Sequence, residues 1–187
     1  MNDSSKLKHI IFSYGSNMLT RELIKYCNLI NKSNCTNTRH SDFYEVLDIG
    51  VLNNYKFAYK NLCVYPPYKI VKTAKANITP DKNAKVYGTI ARVSTELFKL
   101  IVKKEGIVTP RKYSHYKMKT VKVRAVTQNK SYDAITFVMR NPVTDLNTCK
   151  YKLYKNPTVV YEKKIVDAAK WYKLPTEYIE KYLIINR

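Results

Sequence analysis

The chain has 187 residues, a length that allows one domain with its own hydrophobic core, and we expect residues 1–187 to form a single domain. Hydrophobic residues make up 45% of the sequence, which excludes an intrinsically disordered chain. The 34 lysines and arginines outnumber the 14 acidic residues and give a net charge of +20. This charge raises the question of a nucleic-acid partner. An AT-rich genome would produce a similar excess of lysine, asparagine, tyrosine and isoleucine, so the charge alone identifies no partner.

The spacing of the cysteines and histidines gives no sign of a metal site. No two of the four cysteines form a CxxC pair, and none has a histidine at metal-ligand spacing. We therefore expect reduced thiols and no bound metal. No apolar stretch of signal-peptide length follows the polar residues 1–8, and no segment approaches the length needed to span a bilayer. These features predict a cytoplasmic protein without a membrane partner.

The start of the chain predicts a strand, a tight turn and a helix. His9–Tyr14 has the apolar character of a buried strand, and residues 31–41 have the polar character of a loop. Between them, helical spacing relates four apolar residues, Leu19, Leu23, Cys27 and Ile30.

The turn itself has the sequence Tyr14-Gly15-Ser16-Asn17-Met18. Gly15 allows the backbone to bend and a ligand to approach closely, and Ser16 and Asn17 are good helix N-cap residues. A first helical turn leaves backbone N–H groups that attract a carboxylate or a phosphate. The segment therefore predicts either an anion-binding turn or an ordinary corner between a strand and a helix.

Three strands are predicted in the middle of the chain, at Tyr55–Lys60, Ala74–Ile78 and Val86–Val93. The second is predicted to end at Pro80-Asp81. Gly88 lies inside the third and indicates a bulge or a close backbone approach.

Helix and strand signals alternate through the rest of the chain. Ser94 or Thr95 is predicted to cap a helix that runs to Lys104 and stops at Glu105-Gly106, where glycine suits the C-cap. Tyr116–Val126 reads as a strand whose apolar phase changes at Thr120-Val121, which predicts a bulge.

The last elements complete an α+β pattern. Ile135, Phe137 and Met139 alternate as in a strand, Pro157-Thr158 opens a helix, and Leu174-Pro175-Thr176 opens another. Because strands dominate the middle and helices flank them, we expect a curled or barrel-like sheet.

Glu105 is the candidate catalytic residue. It ends a helix, where the macrodipole disfavours a carboxylate, and partial burial would raise its pKa further. Both effects suit a carboxylate that transfers protons near neutral pH. The other interpretation is that Glu105 pairs with Lys103 or Lys104 on a solvated face.

Six short segments, in order, carry a family resemblance: Tyr14–Met18, Ala76–Ile78, Val86–Gly88, Lys104–Ile107, Pro157–Tyr161 and Leu174–Ile179. Together they span nearly the whole chain and resemble the gamma-glutamylcyclotransferase family and the related AIG2-like domains. The resemblance implies a small mixed β-barrel with flanking helices. It also implies a cofactor-independent reaction in which the α-amine of a gamma-glutamyl substrate attacks its own γ-carbonyl, releasing 5-oxoproline and a free amine.

The resemblance also assigns roles to residues. Glu105 corresponds to the family's proton-transferring glutamate, and the substrate is held by the segment that comprises Ile11, Phe12, Ser13, Tyr14, Gly15, Ser16 and Asn17. Tyr161 matches a tyrosine near the pocket, and a second matches Tyr113 or Tyr116, of which Tyr116 keeps the better register. For both tyrosines a plain core role stays open. Homodimers occur in the family, so a homodimer is one expected assembly.

Three departures from the family's sequence pattern bear on the identity of the substrate. Phe137 stands where a pocket tyrosine aligns, and the segment between Glu105 and Tyr116 is longer than usual and carries Thr109–Lys112. The turn also lacks the YGSL form of the glutathione-specific ChaC branch. We therefore expect gamma-glutamyl amino acids or gamma-glutamyl amines as substrates.

A non-catalytic function is the alternative. Nine basic residues could form one patch with tyrosines between them: Lys99, Lys103, Lys104, Arg111, Lys112, Lys117, Lys119, Lys122 and Arg124. Such a patch binds phosphate backbones and stacked bases, or the pocket could be retuned to another anion. No known nucleic-acid recognition motif accompanies it. An inactive structural relative is a third reading, against which the retained turn and Glu105 argue.

Overall fold

The computed structural model describes residues 7–18, 20–34, 38–60, 74–107, 114–140 and 156–185. The strands are β1 (Leu7–Ser13), β2 (Tyr44–Lys60), β3 (Lys75–Ser94), β4 (Tyr116–Ala125) and β5 (Ser131–Met139). The helices are α1 (Thr20–Asn34), α2 (Thr95–Lys104), α3 (Val159–Trp171) and α4 (Thr176–Tyr178), which continues as a π-helical turn, Ile179–Leu183. Short 3₁₀ turns lie at Ser16–Met18 and His40–Asp42. Several positions of the sequence analysis fall outside the described residues: Leu19, Thr109–Lys112, Tyr113 and three of the four cysteines, namely Cys35, Cys63 and Cys149.

The five strands form a closed barrel in the order β1-β3-β2-β4-β5. All neighbouring strands are antiparallel except β5 and β1, which close the barrel in parallel at Ile135 and Ile11. The expected α+β class and the small mixed barrel with flanking helices are confirmed. Among the described residues, no helix is both long and apolar enough to cross a membrane.

Alternation along β1 divides the apolar residues between two core clusters. Phe12 belongs to the cluster that fills the barrel and contacts α3 and the C-terminal helical turn. Ile11 points to the other face and packs with Leu23, Cys27 and Leu97 of helices α1 and α2. Because successive side chains of a strand point to opposite faces, one strand anchors both layers.

The middle strands are longer than the sequence predicted. β2 begins at Tyr44, and β3 is continuous, so the predicted break at Pro80-Asp81 is wrong. The β2–β3 register instead jumps from the pair Asn53 and Lys85 to the pair Tyr55 and Pro80. Asn54, with a φ of 63°, lies at this irregularity. Proline is tolerated at a bulge because no ladder hydrogen bond is needed from its nitrogen.

Two further local predictions are corrected. The β4–β5 register is unbroken from the pair Tyr116 and Met139 to the pair Arg124 and Ser131, so β4 has no bulge against β5. The change of apolar phase arises because only the second half of β4 has its inward face buried. The loop predicted at 31–41 is also partly helical, because α1 continues to Asn34.

The close approach of the β1 backbone to β3 explains why residue 88 is a glycine. A Cβ atom at this position would lie 2.2 Å from the carbonyl oxygen of Ser13, far inside van der Waals contact. The sequence therefore predicted the reason for this glycine correctly, and β1 can lie directly beside β3 at the point where the YGSN turn begins.

Candidate active site

The segment after β1 forms a compact turn against the first residues of β3. The backbone N–H of Met18 donates to the carbonyl of Gly15 at 3.0 Å, which closes the 3₁₀ turn. A Cβ atom on Gly15 would lie 3.2 Å from the Cβ of Ala76, tighter than ordinary contact. Gly15 therefore allows the turn to pack closely on β3.

Helix α2 places Glu105 opposite this turn. Its N-cap is Ser94, whose side chain accepts a hydrogen bond from the Leu97 N–H at 3.2 Å. Its C-cap is Glu105, and Gly106 follows with a φ of 67°, a conformation that favours glycine. These caps fix the end of the helix, and with it the backbone position of Glu105.

The Glu105 carboxylate contacts the turn directly. The side-chain amide of Asn17 donates a hydrogen bond to Oε1 of Glu105 at 2.6 Å. Among the described residues no ion pair joins Glu105 to Lys103 or Lys104, both of which are exposed. Asn17 was predicted as a helix-capping residue of an anion-binding turn, but its side chain bonds to the catalytic candidate.

Burial raises the pKa of Glu105 to about 7, and this is the largest influence on it. The hydrogen bond from Asn17 and the positive charge of Lys75 act in the opposite direction. A carboxyl group with this pKa gains and loses a proton near neutral pH, which is the property that general acid–base catalysis needs.

Three tyrosines link the remaining walls. The Tyr14 hydroxyl donates to the carbonyl of Phe137, and the Tyr116 hydroxyl donates to the carbonyl of Ala76 at 3.2 Å. The N–H of Ala76 donates to the Tyr161 hydroxyl oxygen at 3.3 Å. Burial raises the pKa of all three, that of Tyr161 to about 12. Each therefore keeps its phenolic proton at neutral pH.

These groups surround a cavity of about 230 Å³. The predicted site residues that line it are Phe12, Ser13, Tyr14, Gly15, Ser16, Asn17, Glu105, Tyr116 and Tyr161. Ile11 is not among the lining residues, because its side chain faces the α1–α2 core. Of the two alternatives, Tyr116 lines the cavity, and Tyr113 lies outside the described residues.

Phe137, which aligns with a pocket tyrosine of the family, lines the cavity, as do five residues that sequence reasoning did not place there: Tyr26, Lys75, Lys104, His115 and Thr136. Lys75 is the most distinctive, because its Nζ lies 4.2 Å from the centroid of the Tyr161 ring. Burial and the nearby Lys164 lower the pKa of Lys75, whereas Glu105 raises it. No local motif marks Lys75, so only the fold could bring it to this place.

The predicted basic patch is divided. Successive side chains of a strand point to opposite faces. Lys122 and Arg124 therefore point to one side of β4, whereas Lys117 and Lys119, an odd number of positions away, point to the other. Lys119 lies over the Tyr55 ring at 5.0 Å. Arg111 and Lys112 lie outside the described residues. The described basic residues of β4 therefore do not share one face.

Comparison with known proteins supports the fold. The chain resembles a solved structure named gamma-glutamyl cyclotransferase, with a TM-score of 0.66 and 21% identity over 95% of this chain and 88% of that one. The uncharacterized Homo sapiens protein loc79017 gives a TM-score of 0.65, 21% identity and the same coverage, 95% and 88%. A glutathione-specific gamma-glutamyl cyclotransferase from yeast gives 0.57 and 9% identity over 94% and 93% of the two chains.

These TM-scores show a common fold, which is gamma-glutamylcyclotransferase-like. A comparison with curated protein sequences gives no significant match. The model of the AIG2-like family matches residues 85–182, just over half of the chain, including α2 and Glu105. The chain therefore belongs to the AIG2-like family.

Proposed function

We propose that this protein is a gamma-glutamylcyclotransferase-like enzyme that cleaves gamma-glutamyl amino acids or amines without a cofactor. The observation that carries the proposal is the Glu105 carboxylate, which faces a cavity of suitable size, has a pKa of about 7 and bonds to the YGSN turn. The fold shared with a structure named gamma-glutamyl cyclotransferase agrees with it.

The proposed reaction is an intramolecular acyl transfer. Glu105 takes a proton from the substrate α-ammonium, and the free amine then attacks the γ-carbonyl carbon. The attacking nitrogen, positively charged after the attack, gives up a second proton, and the bond from the γ-carbon to the leaving nitrogen breaks as Glu105 returns the first proton to that nitrogen. The products are 5-oxoproline and the amine, which leaves as an ammonium ion with the second proton, so atoms and charge balance. Because the nucleophile and the carbonyl belong to one molecule, correct positioning supplies much of the rate.

The turn and the tyrosines have supporting roles in this proposal. Backbone N–H groups of the Tyr14–Asn17 turn stabilise the substrate carboxylate or the developing oxyanion. Asn17 keeps the Glu105 carboxylate directed to the cavity through its 2.6 Å hydrogen bond. Tyr116 and Tyr161 hold Ala76 from both sides and so fix the opposite wall.

The test is the release of 5-oxoproline from gamma-glutamyl-alanine, gamma-glutamyl-lysine and glutathione, first with the unaltered protein. Glu105→Gln keeps the size and the hydrogen-bonding ability of the side chain but cannot accept the proton. We expect it to lower kcat by about 10³-fold or more, since general base catalysis typically contributes 10²–10⁴-fold.

Glu96→Gln is the matched control, because Glu96 is an exposed glutamate in the first turn of the same helix. It should leave turnover unchanged. Full activity in Glu105→Gln would exclude Glu105 as the base. A folded protein that turns over none of the three compounds would exclude the proposed reaction and favour a binding function for the cavity.

A further inference from the structure

Lys75 is a cavity residue that the proposed proton transfer does not use. It is the first residue of β3 and precedes Ala76, which forms hydrogen bonds with Tyr116 and Tyr161. Its Nζ lies 4.2 Å from the centroid of the Tyr161 ring, within the range of a cation–π contact. This contact holds the ammonium group at the wall of the cavity, beside the turn that contains Gly15.

Among the described residues no acidic group forms an ion pair with Lys75; Glu105 acts on it electrostatically but lies beyond ion-pair distance. The nearby Lys164, whose charge also acts on Lys75, differs in this respect because it forms an ion pair with Glu22 at 3.3 Å. An ammonium group that is partly buried without a counter-ion is costly, and a bound anion removes that cost.

The described lining residues include one acidic group, Glu105, which the proposed mechanism uses for proton transfer. Lys104, although exposed, adds a second positive charge at the cavity wall. The cavity is therefore built to attract a negatively charged group in addition to the ammonium group that Glu105 receives. Gamma-glutamyl compounds carry one carboxylate on the glutamyl carbon, and those made from amino acids carry another on the leaving amine.

We propose that Lys75 binds a carboxylate of the substrate in this cavity. The inference rests on the proposed function and deepens it. The carboxylate is either that of the glutamyl part or that of the leaving amino acid. Both would form a charge-assisted hydrogen bond with the Lys75 ammonium.

The experiment compares two ligands, gamma-glutamyl-alanine and gamma-glutamyl-ethylamine, which differ by the leaving-group carboxylate. Binding is measured by calorimetry in the Glu105→Gln background, where no turnover interferes, with and without Lys75→Gln. We expect Lys75→Gln to weaken binding of gamma-glutamyl-alanine by about tenfold or more. An equal loss of affinity for both ligands would show that Lys75 binds the glutamyl carboxylate. A loss of affinity for gamma-glutamyl-alanine alone would show that it binds the leaving-group carboxylate.

Two variants separate binding from structure. Lys85→Gln is the matched control, because Lys85 lies on the same strand and over a tyrosine ring, 5.5 Å from the centroid of Tyr87, but does not line the cavity. It should change neither affinity. Lys75→Arg keeps the charge and should restore most of the binding, which a structural role would not predict.

Unchanged affinity for both ligands in Lys75→Gln overturns the inference, as does the absence of any binding before Lys75 is changed. Neither result depends on catalysis. Turnover by the unaltered protein decides the proposed function separately, and in an active enzyme Lys75→Gln should raise KM for the affected ligand far more than it lowers kcat.

Discussion

Asp48 and Glu105 are carboxylates with very different surroundings. Asp48, on β2, accepts four hydrogen bonds: from the N–H groups of Ile49, Thr127 and Gln128 and from the Thr127 hydroxyl, at 2.7 to 3.1 Å. Glu105 accepts one described side-chain hydrogen bond, from Asn17. The first carboxylate joins β2 to the turn after β4, whereas the second faces a cavity. The hydrogen-bond donors thus separate a carboxylate that joins two segments of the fold from one that faces a cavity with a single described donor.

The largest expected effect concerns stability at Asp48. Asp48→Ala removes the acceptor of four hydrogen bonds, and at about 1 kcal/mol each the free energy of unfolding should fall by about 4 kcal/mol. Urea denaturation monitored by circular dichroism measures this change. Asp133→Ala, at an exposed position on β5, is the control and should cost much less. If the two variants were equally stable, Asp48 would not have the structural role assigned to it.

The second expected effect is a gain in stability when the Glu105 carboxylate is replaced. Its folded pKa of about 7 exceeds its ordinary value of 4.5, so the folded state holds the proton more tightly than the unfolded state. The contribution of Glu105 to the free energy of unfolding is fully present below about pH 4.5. It is lost as the pH rises through about 7, and the total loss is at most about 3 kcal/mol. Glu105→Gln lacks this loss.

We therefore expect Glu105→Gln to match the unaltered protein in stability at pH 5 and to exceed it at pH 8. Thermal unfolding at the two pH values measures the difference, with Glu96→Gln as the control that should show none. A Glu105→Gln variant that is less stable at pH 8 would contradict the assignment of Glu105 as a partly buried, poorly compensated carboxylate.

The smallest effect tests the single donor at Glu105. The hydrogen bond from Asn17 lowers the pKa of Glu105, so Asn17→Ala should raise that pKa above 7. The acidic limb of the pH profile of kcat/KM should then move up by about one pH unit. A ¹³C NMR titration of the Glu105 carboxyl carbon measures the same shift without substrate. Asn28→Ala, which removes an exposed contact to His40, should leave the profile in place.

Local signals in the sequence predicted the parts of the site that depend on local hydrogen bonds and backbone angles. Ser94, one of the two predicted caps, is the N-cap of α2, and Thr158, which with Pro157 was predicted to open a helix, is the N-cap of α3. Gly106 has the positive φ expected of a residue that follows a helix. Because Glu105 stands between that helix and that glycine, its position could be read before the fold was known.

Features that depend on distant partners were missed. The first half of β2 has no clear alternation, and Pro80 reads locally as a strand break, yet β2–β3 pairing carries both strands past an irregularity. Lys75 at the start of β3 and Tyr26 on α1 reach the cavity only through the packing of distant segments. Sequence periodicity reports which face of an element is buried, but not which cavity that face lines.

The hydrogen bonds around the cavity join residues far apart in the chain: Asn17 and Glu105 are 88 positions apart, Ala76 and Tyr161 are 85, and Tyr14 and Phe137 are 123. Such contacts close long loops at a cost in conformational entropy, and a fold rich in long-range contacts forms slowly. No contiguous fragment shorter than these separations can hold the Glu105 environment together. The raised pKa of Glu105 is therefore a property of the finished barrel, and its appearance during refolding would report closure of the whole structure.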